Sequence, residues 1–189
     1  MIYRLKTNVY MNEPSKINEL ADRLKKGDRS AGETIFNEFA PAMYRYFLAR
    51  TSQKETAQDL TQECFARLLG HIDQFDTTHG NFSSWFWRIA RNLLIDTYRQ
   101  KKPTQSIETM QEYGLDIVDT TDRVLPHVEL QRVLKLVKEL SEEEQELFNL
   151  YFVADTSYAD LAEMMGKTEA NLRVAVHRVK KKIIEISES

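Results

Sequence analysis

Residues 82–102 read FSSWFWRIARNLLIDTYRQKK, and the rest of the chain is organised around this segment. No glycine or proline interrupts it, Pro103 follows it, and Ser83 or Ser84 can accept hydrogen bonds from its first free amides. The segment is therefore predicted to be a helix. At about 100° per residue, one face of this helix is wholly apolar. That face consists of Phe86, Ile89, Ala90 and Leu93.

The opposite face of the predicted helix combines aromatic rings with cations. It consists of Trp87, Arg91, Tyr98 and Lys102, flanked by Arg88, Asn92 and Arg99. Guanidinium and ammonium groups follow phosphates, and exposed rings stack on unpaired bases at roughly 1–3 kcal/mol per base. The pattern therefore favours binding to single-stranded nucleic acid. The alternative, which composition leaves open, is a packed helix with both rings buried against a neighbour and its cations merely solvated.

The composition indicates a mostly helical globular protein. The chain has 189 residues, 42% of them hydrophobic, and its six glycines and four prolines leave few tight turns. Its one cysteine, Cys64, excludes an internal disulfide and is typical of a reducing cytoplasm. No segment resembles a signal peptide or reaches membrane-spanning length. We therefore expect a cytoplasmic protein without membrane insertion.

Charge is distributed unevenly along a chain whose net charge is only −3. Residues 84–102 carry five cations and one acid, and residues 167–183 carry six cations and one acid. Between them, residues 141–163 carry seven acids and no cation. Two basic stripes on an acidic chain indicate defined contact faces rather than general binding to polyanions. The acidic stretch could equally be a solvated helix face.

Amphipathic periodicity predicts several helices before the central segment. One spans residues 15–26, and capping boxes at Ser30 and Ser52 open two more. Pro41 fits the first turn of a further helix, which would divide residues 30–51 in two. The apolar residues Ile35, Phe36 and Phe39 follow the capping box at Ser30. On the helix that Ser52 opens, the residues expected to face inward are Ala57, Leu60, Thr61, Cys64, Phe65 and Leu68.

A change in composition separates two domains. Residues 103–125 are rich in threonine and acidic residues and lack helical periodicity, so they are predicted to be a flexible linker. The first domain would comprise residues 1–102, with the first ten residues as an extension, and the second domain residues 126–189. We thus expect an all-α fold of two small helical domains, the second a helix-turn-helix bundle.

The second domain has the spacing of a helix-turn-helix. Capping boxes open helices at Ser141 and Ser157, Gly166 ends the shorter helix, and Thr168 caps the last one. The N-terminal end of that last helix would reach base edges in the major groove. An apolar seam consists of Leu172, Val176, Val179 and Ile183. The free face carries Thr168, Glu169, Ala170, Asn171, Arg173, Val174, His177, Arg178 and Lys181. A plain helical hairpin with a basic last turn is the alternative.

Three segments of the chain resemble the conserved regions of bacterial extracytoplasmic-function sigma factors. They are DLTQECFARLL at 59–69, the central segment at 82–102, and LAEMMGKTEANLRVAVHRVKKKI at 161–183. The first two, in this order and at this distance, are specific to the family, whereas many regulators share the helix-turn-helix. The resemblance implies a promoter-specificity subunit of RNA polymerase, without catalytic activity, cofactor or bound metal.

The resemblance also implies a role for each face. The helix at 52–69 would dock on the clamp helices of the largest polymerase subunit through Asp59, Gln62, Glu63 and Arg67. The loop and helix at 81–102 would recognise and melt the minus-ten element. The candidates there are Asn81, Ser83, Ser84, Trp85, Trp87, Arg88, Arg91, Asn92, Tyr98, Arg99, Lys101 and Lys102. The helix-turn-helix would read the minus-thirty-five element, with its domain resting on the polymerase flap. An anti-sigma factor commonly holds such proteins inactive.

One departure from the family pattern concerns the recognition helix. Family members often carry a cation where this chain has Ala175 and a small polar residue where it has Val174. Major-groove contacts would then depend on Arg173, His177 and Arg178, while Val174 could still meet a thymine methyl group.

Two rival functions can be weighed against the sequence. A stand-alone regulator that binds an operator through the helix-turn-helix would explain residues 157–183. It would not explain the aromatic and basic face of the central helix. An enzyme has no support, since no glycine-rich phosphate loop or nucleophile with a base is recognisable. The spacings of Cys64 and the four histidines match no zinc pattern. Cys64 lies on an apolar helix face and is expected in the core, with redox sensing as an alternative role.

Overall fold

The computed structural model describes residues 14–101 and 136–187, and every regular element within these two ranges is helical. The predicted linker at 103–125, the first ten residues and Lys102 lie outside the described residues. Within the described ranges, no helix is long and apolar enough to cross a membrane. The predicted all-α class with two helical domains is confirmed.

Four helices form the first domain. α1 spans Pro14–Lys25, α2 spans Arg29–Thr51, α3 spans Lys54–His71 and α4 spans Phe82–Lys101. Two 3-10 turns, Ile72–Gln74 and Thr77–His79, connect α3 to α4. α2 packs against both α1 and α3, and α4 packs against α1 and α3. The predicted central segment is thus the last helix of one compact bundle.

The helix starts in the first domain differ from the predicted capping boxes. Asp28 is the N-cap of α2, and its carboxylate accepts from the backbone amides of Ser30 and Ala31. The hydroxyl of Ser30 itself donates to Asp28 at 2.8 Å. A carboxylate is favoured there because it bonds the free amides and also opposes the positive end of the helix dipole. Ser52 is the left-handed C-cap of α2, with φ of 55°, and Gln53 precedes α3.

Pro41 lies inside α2, so the predicted division of residues 30–51 into two helices is wrong. A proline in a helix interior removes one backbone hydrogen bond and costs about 3 kcal/mol. Phe39, Met43 and Phe47, on both sides of Pro41, are completely buried in one core. Each such side chain contributes roughly 1.5–3 kcal/mol on burial, and together they outweigh the cost of the proline.

Three helices and a π-helical turn are described in the second domain. α5 spans Glu142–Phe148, the π-helical turn spans Asn149–Val153, α6 spans Tyr158–Met165 and α7 spans Glu169–Ser187. The predicted seam of α7 is buried. α7 packs against α5 and α6, and the α6–α7 pair forms the predicted helix-turn-helix.

The predicted caps of the second domain are confirmed. Ser141 forms a complete capping box at the start of α5, and the Ser157 hydroxyl accepts from the third amide of α6. Gly166 ends α6 in the left-handed conformation, with φ of 62°. The Thr168 hydroxyl accepts from the amide of Asn171 at 3.2 Å. Each of these motifs acts on backbone groups within a few residues, so it can be identified from the sequence.

The two domains pack against each other. α6 lies against α4, and the π-helical turn lies against α2. The guanidinium of Arg45, on α2, donates to the backbone carbonyl of Val153 at 3.1 Å. Burial lowers the pKa of Arg45, while the charge of Asp155 opposes that shift. The second domain therefore covers part of α2 and part of α4.

Candidate nucleic-acid interface

Aromatic rings fix the apolar face of α4 in the core. Phe86 packs edge-on against Phe39 and Phe65, with ring centroids 5.3 and 5.2 Å apart. Phe82 packs edge-on against Phe75 at 5.4 Å. Such tilted and edge-on pairs each add about 0.5–1.5 kcal/mol beyond the area that they bury. The cluster sets the rotation of α4 about its axis and so determines which side chains face away from the core.

Asn81 caps the start of α4, a role predicted for Ser83 or Ser84. Its side-chain oxygen accepts from the amide of Ser84 at 2.9 Å, and the Ser84 hydroxyl donates to the Asn81 carbonyl at 3.0 Å. Ser83 and Ser84 are both buried. Neither hydroxyl is therefore open to an extruded base in this conformation.

Trp87 is completely buried, which contradicts its predicted exposure among the cations of α4. Its ring packs edge-on against Tyr46 at 5.5 Å. Helical periodicity predicts a single buried face for α4, but the second domain also packs against α4 and α2. Tyr98 remains 36% exposed, and its hydroxyl donates to the backbone carbonyl of Arg50. Trp85 is half-buried at the start of the helix.

The exposed cations of α4 meet carboxylates of the second domain. The Arg88 guanidinium lies 2.8 Å from Glu163, and the Arg91 guanidinium lies 3.4 Å from Glu146. Both arginine side chains are 45% exposed, so each is also open to solvent. Asn92 and Arg99 are exposed on the same helix. α4 thus presents a partly covered basic face.

The helix-turn-helix presents a second basic face on α7. The Arg173 guanidinium lies 4.4 Å over the ring of Tyr158 and 3.2 Å from Glu169. Val174 is 51% exposed, an unusual position for a large apolar side chain. The other predicted residues of this face are exposed as well: Thr168, Glu169, Ala170, Asn171, His177, Arg178 and Lys181. The structure therefore brings the predicted reading residues together on one side of α7.

A third predicted face lies on α3. Asp59, Gln62 and Glu63 are exposed there. Arg67 donates to Glu63 at 2.9 Å and lies 3.6 Å from Asp96 on α4. The Glu63 hydrogen bond raises the pKa of Arg67. These contacts connect the polar face of α3 to α4.

An open groove beside this face is a feature that the sequence analysis missed. Its volume is about 540 Å³, and its lining includes Phe36, Pro41, Tyr44, Gln58 and Gln62. Phe36 is 50% exposed, although it is a large apolar side chain. Helical spacing could have indicated the exposure of Phe36. Ile35 and Phe39 define the buried stripe of α2, and Phe36 lies about 100° away from Ile35 around the helix.

Sequence similarity to known proteins extends over most of the chain. The ECF RNA polymerase sigma factor BldN of Streptomyces coelicolor is 29% identical over 169 residues, which cover 88% of this chain and 64% of BldN. The ECF RNA polymerase sigma factor SigM of Bacillus subtilis is 28% identical over 152 residues, which cover 80% of this chain and 91% of SigM. The family model of sigma-70 region 2 matches residues 35–104, and that of sigma-70 region 4 matches residues 130–183. The chain belongs to the extracytoplasmic-function sigma factors.

Two solved structures have the same fold. CnrH, in complex with the cytosolic domain of CnrY, gives a TM-score of 0.67 at 19% identity and covers 90% of this chain and 96% of CnrH. RpoE, in complex with the anti-sigma factor NepR from Bartonella quintana, gives a TM-score of 0.61 at 20% identity and covers 82% of this chain and 96% of RpoE. At these identities the similarity shows the fold alone.

A sigma factor is not an enzyme; it binds core RNA polymerase and directs initiation to promoters. Region 2 serves the minus-ten element and region 4 the minus-thirty-five element. In this sigma factor region 2 contains α3 and α4, and region 4 contains the helix-turn-helix. The two basic faces therefore fall in the two regions that meet promoter DNA.

Proposed function

We propose that residues 1–102 recognise and melt the minus-ten element and residues 126–189 read the minus-thirty-five element, with residues 103–125 as the linker. The observation that carries this proposal is the pair of basic faces on α4 and α7, one in each matched region. Melting needs no catalysis under this proposal. The first domain has only to bind the opened strand better than the duplex, so that opened states gain population.

On α4, we assign the phosphate contacts to the arginines and the base contacts to the side chains around them. Arg88, Arg91 and Arg99 carry charge at the surface. Lys101 and Lys102 follow them in the sequence, and Asn92 lies on the same exposed side. Tyr98 and Trp85 are partly open and could stack on bases. Contacts from the buried Trp87, Ser83 and Ser84, or from Asn81, require a rearrangement that exposes them.

The substitution Arg91→Ala tests the minus-ten assignment. In holoenzyme, it should reduce the permanganate reactivity of unpaired thymines in the minus-ten region without unfolding the protein. Its side chain is 45% exposed, and the ion pair at 3.4 Å to Glu146 contributes little to stability. Arg29→Ala, at an exposed arginine at the start of α2, is the matched control. Unchanged thymine reactivity in the Arg91 variant would contradict the assignment.

The polymerase contact is assigned to the exposed face of α3, through Asp59, Gln62, Glu63 and Arg67, together with the adjoining groove. We expect Asp59→Ala/Glu63→Arg to abolish co-purification with core RNA polymerase. The matched control is Asp22→Ala/Glu19→Arg, which makes the same charge change on exposed positions of α1. Retained binding by the α3 variant, or equal loss in both variants, would contradict this contact.

For the second domain, we propose that α7 enters the major groove with its N-terminal half. Arg173, His177 and Arg178 then supply hydrogen bonds, and the exposed Val174 meets a thymine methyl group. Arg178→Ala should cost about 1–3 kcal/mol of promoter affinity and relax the preference at one base pair. Footprinting of holoenzyme on promoter variants measures both effects. A uniform loss of affinity at every sequence would reassign Arg178 to phosphate.

An anti-sigma partner and a cytoplasmic location complete the proposal. Support for the partner comes from CnrH and the sigma factor RpoE, which share this fold and whose solved structures contain CnrY and the anti-sigma factor NepR, respectively. Support for the location comes from the function, since core RNA polymerase and promoter DNA are its targets. Pull-down from the source cell with the full chain as bait tests the partner.

A further inference from the structure

Side chains of α1 hold the loop between α3 and α4 at both of its ends. The ammonium of Lys25 donates to the backbone carbonyl of Phe75 at 2.7 Å, where the loop begins. The side-chain oxygen of Asn18 accepts from the backbone amide of Phe82 at 2.8 Å, where the loop ends and α4 starts. Residues 76–81 lie between these two contacts. We call Asn18 and Lys25 the anchors of the loop.

The two anchors lie on one side of α1. They are seven positions apart, which in an α-helix is almost two full turns and roughly 10 Å along the axis. α1 is itself fixed in the bundle, because Ile17, Leu20 and Ala21 are buried and the helix packs against α2 and α4. The separation of the two loop ends is therefore set by a rigid helix, and not by the loop alone.

The anchored backbone groups belong to buried aromatic residues. Phe75 is 2% exposed and Phe82 is completely buried, so the polar backbone atoms of both residues are costly to leave without a partner. The amide of Phe82 is also one of the first amides of α4, which have no acceptor within their own helix. Asn18 supplies that acceptor from a different helix.

The anchored residues contact the part of α4 that is proposed to meet the minus-ten strand. The ring of Trp85 lies 5.4 Å from that of Phe75 and 5.9 Å from that of Phe82, between centroids. A cavity of about 190 Å³ lies beside these rings, and its lining includes Gly80 of the loop together with Trp85 and Arg88 of α4. A shift of either loop end would therefore move Trp85 and the wall that faces Arg88.

We propose that Asn18 and Lys25 are positioning residues for minus-ten recognition. They act through Phe75 and Phe82 and hold the loop so that the side chains at the start of α4 meet the strand in one fixed geometry. This inference rests on the proposed role of the loop and α4 in minus-ten recognition. Both anchors lie outside residues 35–104, the range that the family model of sigma-70 region 2 matches, so that match assigns them no role.

A positioning role makes a prediction that other roles do not make. Hydrogen bonds to base edges depend steeply on distance and angle, whereas attraction to phosphate carries no sequence information. Loss of an anchor should therefore weaken the preference for one minus-ten sequence over another. A purely structural role would lower stability and leave that preference unchanged. A direct phosphate contact from the Lys25 ammonium would weaken binding to all promoters alike and lower its salt dependence.

The test measures the minus-ten preference of holoenzyme assembled from core RNA polymerase and the full chain. Run-off transcription is compared between a mapped promoter and templates that carry single substitutions in its minus-ten element. The ratio of the two rates is the preference, and any inactive fraction of a destabilised variant cancels in this ratio. Substitutions in the minus-thirty-five element of the same promoter provide an internal reference, because the anchors are not expected to influence it.

Each anchor has a variant that removes its contact and a matched control. Asn18→Ala removes the acceptor for the Phe82 amide, whereas Asn18→Asp keeps an acceptor at the same position. Lys25→Met removes the donor to Phe75 from an exposed side chain of similar length, so the fold should be retained. Lys26→Met removes the same charge from the neighbouring exposed lysine.

We expect Asn18→Ala and Lys25→Met to reduce the minus-ten preference about three- to tenfold, the factor that corresponds to the loss of one hydrogen bond. Asn18→Asp and Lys26→Met should keep the wild-type preference. The minus-thirty-five preference should be the same in all four variants and in wild type.

The outcomes separate the inference from the proposed function. An unchanged minus-ten preference in Asn18→Ala and Lys25→Met would overturn the positioning role, however much stability these variants lose. Equal losses in Lys25→Met and Lys26→Met would mean that charge near the loop, and not the contact with Phe75, matters, which also overturns it. If wild-type holoenzyme shows no preference among minus-ten sequences, the proposed function itself fails before any anchor variant is compared.

Discussion

Replacing Gly80 by alanine probes the point where the second domain meets the loop before α4. Gly80 has φ of 138° and ψ of −178°, a region that only glycine occupies readily. A β-carbon added there would overlap the carboxylate of Glu163, whose carbon would lie 2.9 Å away. The substitution therefore strains the backbone and displaces a side chain of the other domain.

The two effects have different magnitudes. The backbone strain should cost about 1–3 kcal/mol wherever Glu163 is. Displacing Glu163 also removes its contacts with Arg88 and Asn81, and because Arg88 is 45% exposed we expect only about 0.2–1 kcal/mol more. In a Glu163→Ala background the second contribution disappears. The difference between the two backgrounds, about 0.2–1 kcal/mol, is the coupling energy between Gly80 and Glu163.

Urea unfolding followed by tryptophan fluorescence measures these free energies, since both tryptophans lie in α4. Gly70→Ala is the control. Gly70 lies within α3, a β-carbon there meets no atom within 4 Å, and alanine should stabilise the helix by about 0.5–1 kcal/mol. Equal costs of Gly80→Ala in both backgrounds would refute the contact with Glu163. A cost below about 0.5 kcal/mol in both would refute the strained backbone at Gly80.

Three further predictions concern other parts of the molecule. Hydrogen bonds from Ser30 and Arg23 lower the pKa of Asp28 from its ordinary 3.8 to about 2. The stability that Asp28 contributes is therefore complete above pH 3.8 and lost as the pH falls through about 2, and an NMR titration should find this pKa and its rise in Ser30→Ala. Cys64 is completely buried, and burial raises the pKa of its thiol, so it should react with a thiol reagent only at the rate of unfolding. Fast reaction of the folded protein would instead support a redox-sensing role for Cys64. Leu172→Ala should cost about 2–5 kcal/mol of unfolding free energy, whereas Val174→Ala should change it by less than about 0.5 kcal/mol and act only on promoter binding.

Local signals predicted the second domain well and the first domain less well. Ser141, Ser157 and Gly166 act on amides or carbonyls within a few residues, so their role follows from the sequence alone. Ser30 begins the same capping-box pattern, but the N-cap of α2 is Asp28, two residues upstream. Pro41 is a helix-start signal that the burial of its neighbours overrides. A local rule holds only where no tertiary contact of larger free energy opposes it.

The candidate sites divide in the same way. The exposed faces of α3 and α7 were predictable, because each follows from helical periodicity about one buried stripe. The exposed face of α4 was not predictable, because α4 packs on two sides. Trp87 lies outside the predicted apolar face, yet it is completely buried and packs against Tyr46. Periodicity identifies the side of a helix that avoids water, but a second buried side requires knowledge of what packs there.

By itself, the sequence determined the all-α class, the positions of most helices, and the separation of charge into two basic stripes and one acidic stretch. Only the tertiary structure decided how these charges meet: Glu163 and Glu146 of the acidic stretch pair with Arg88 and Arg91 of the first basic stripe. Glu143 and Glu144 of the same stretch pair with Lys167 and Lys182 of the second. Arg88 and Glu163 are 75 positions apart, yet their charged atoms are 2.8 Å apart. Electrostatic attraction and hydrogen bonding depend on distance in space and on the surrounding dielectric, and neither quantity is defined until the chain has folded.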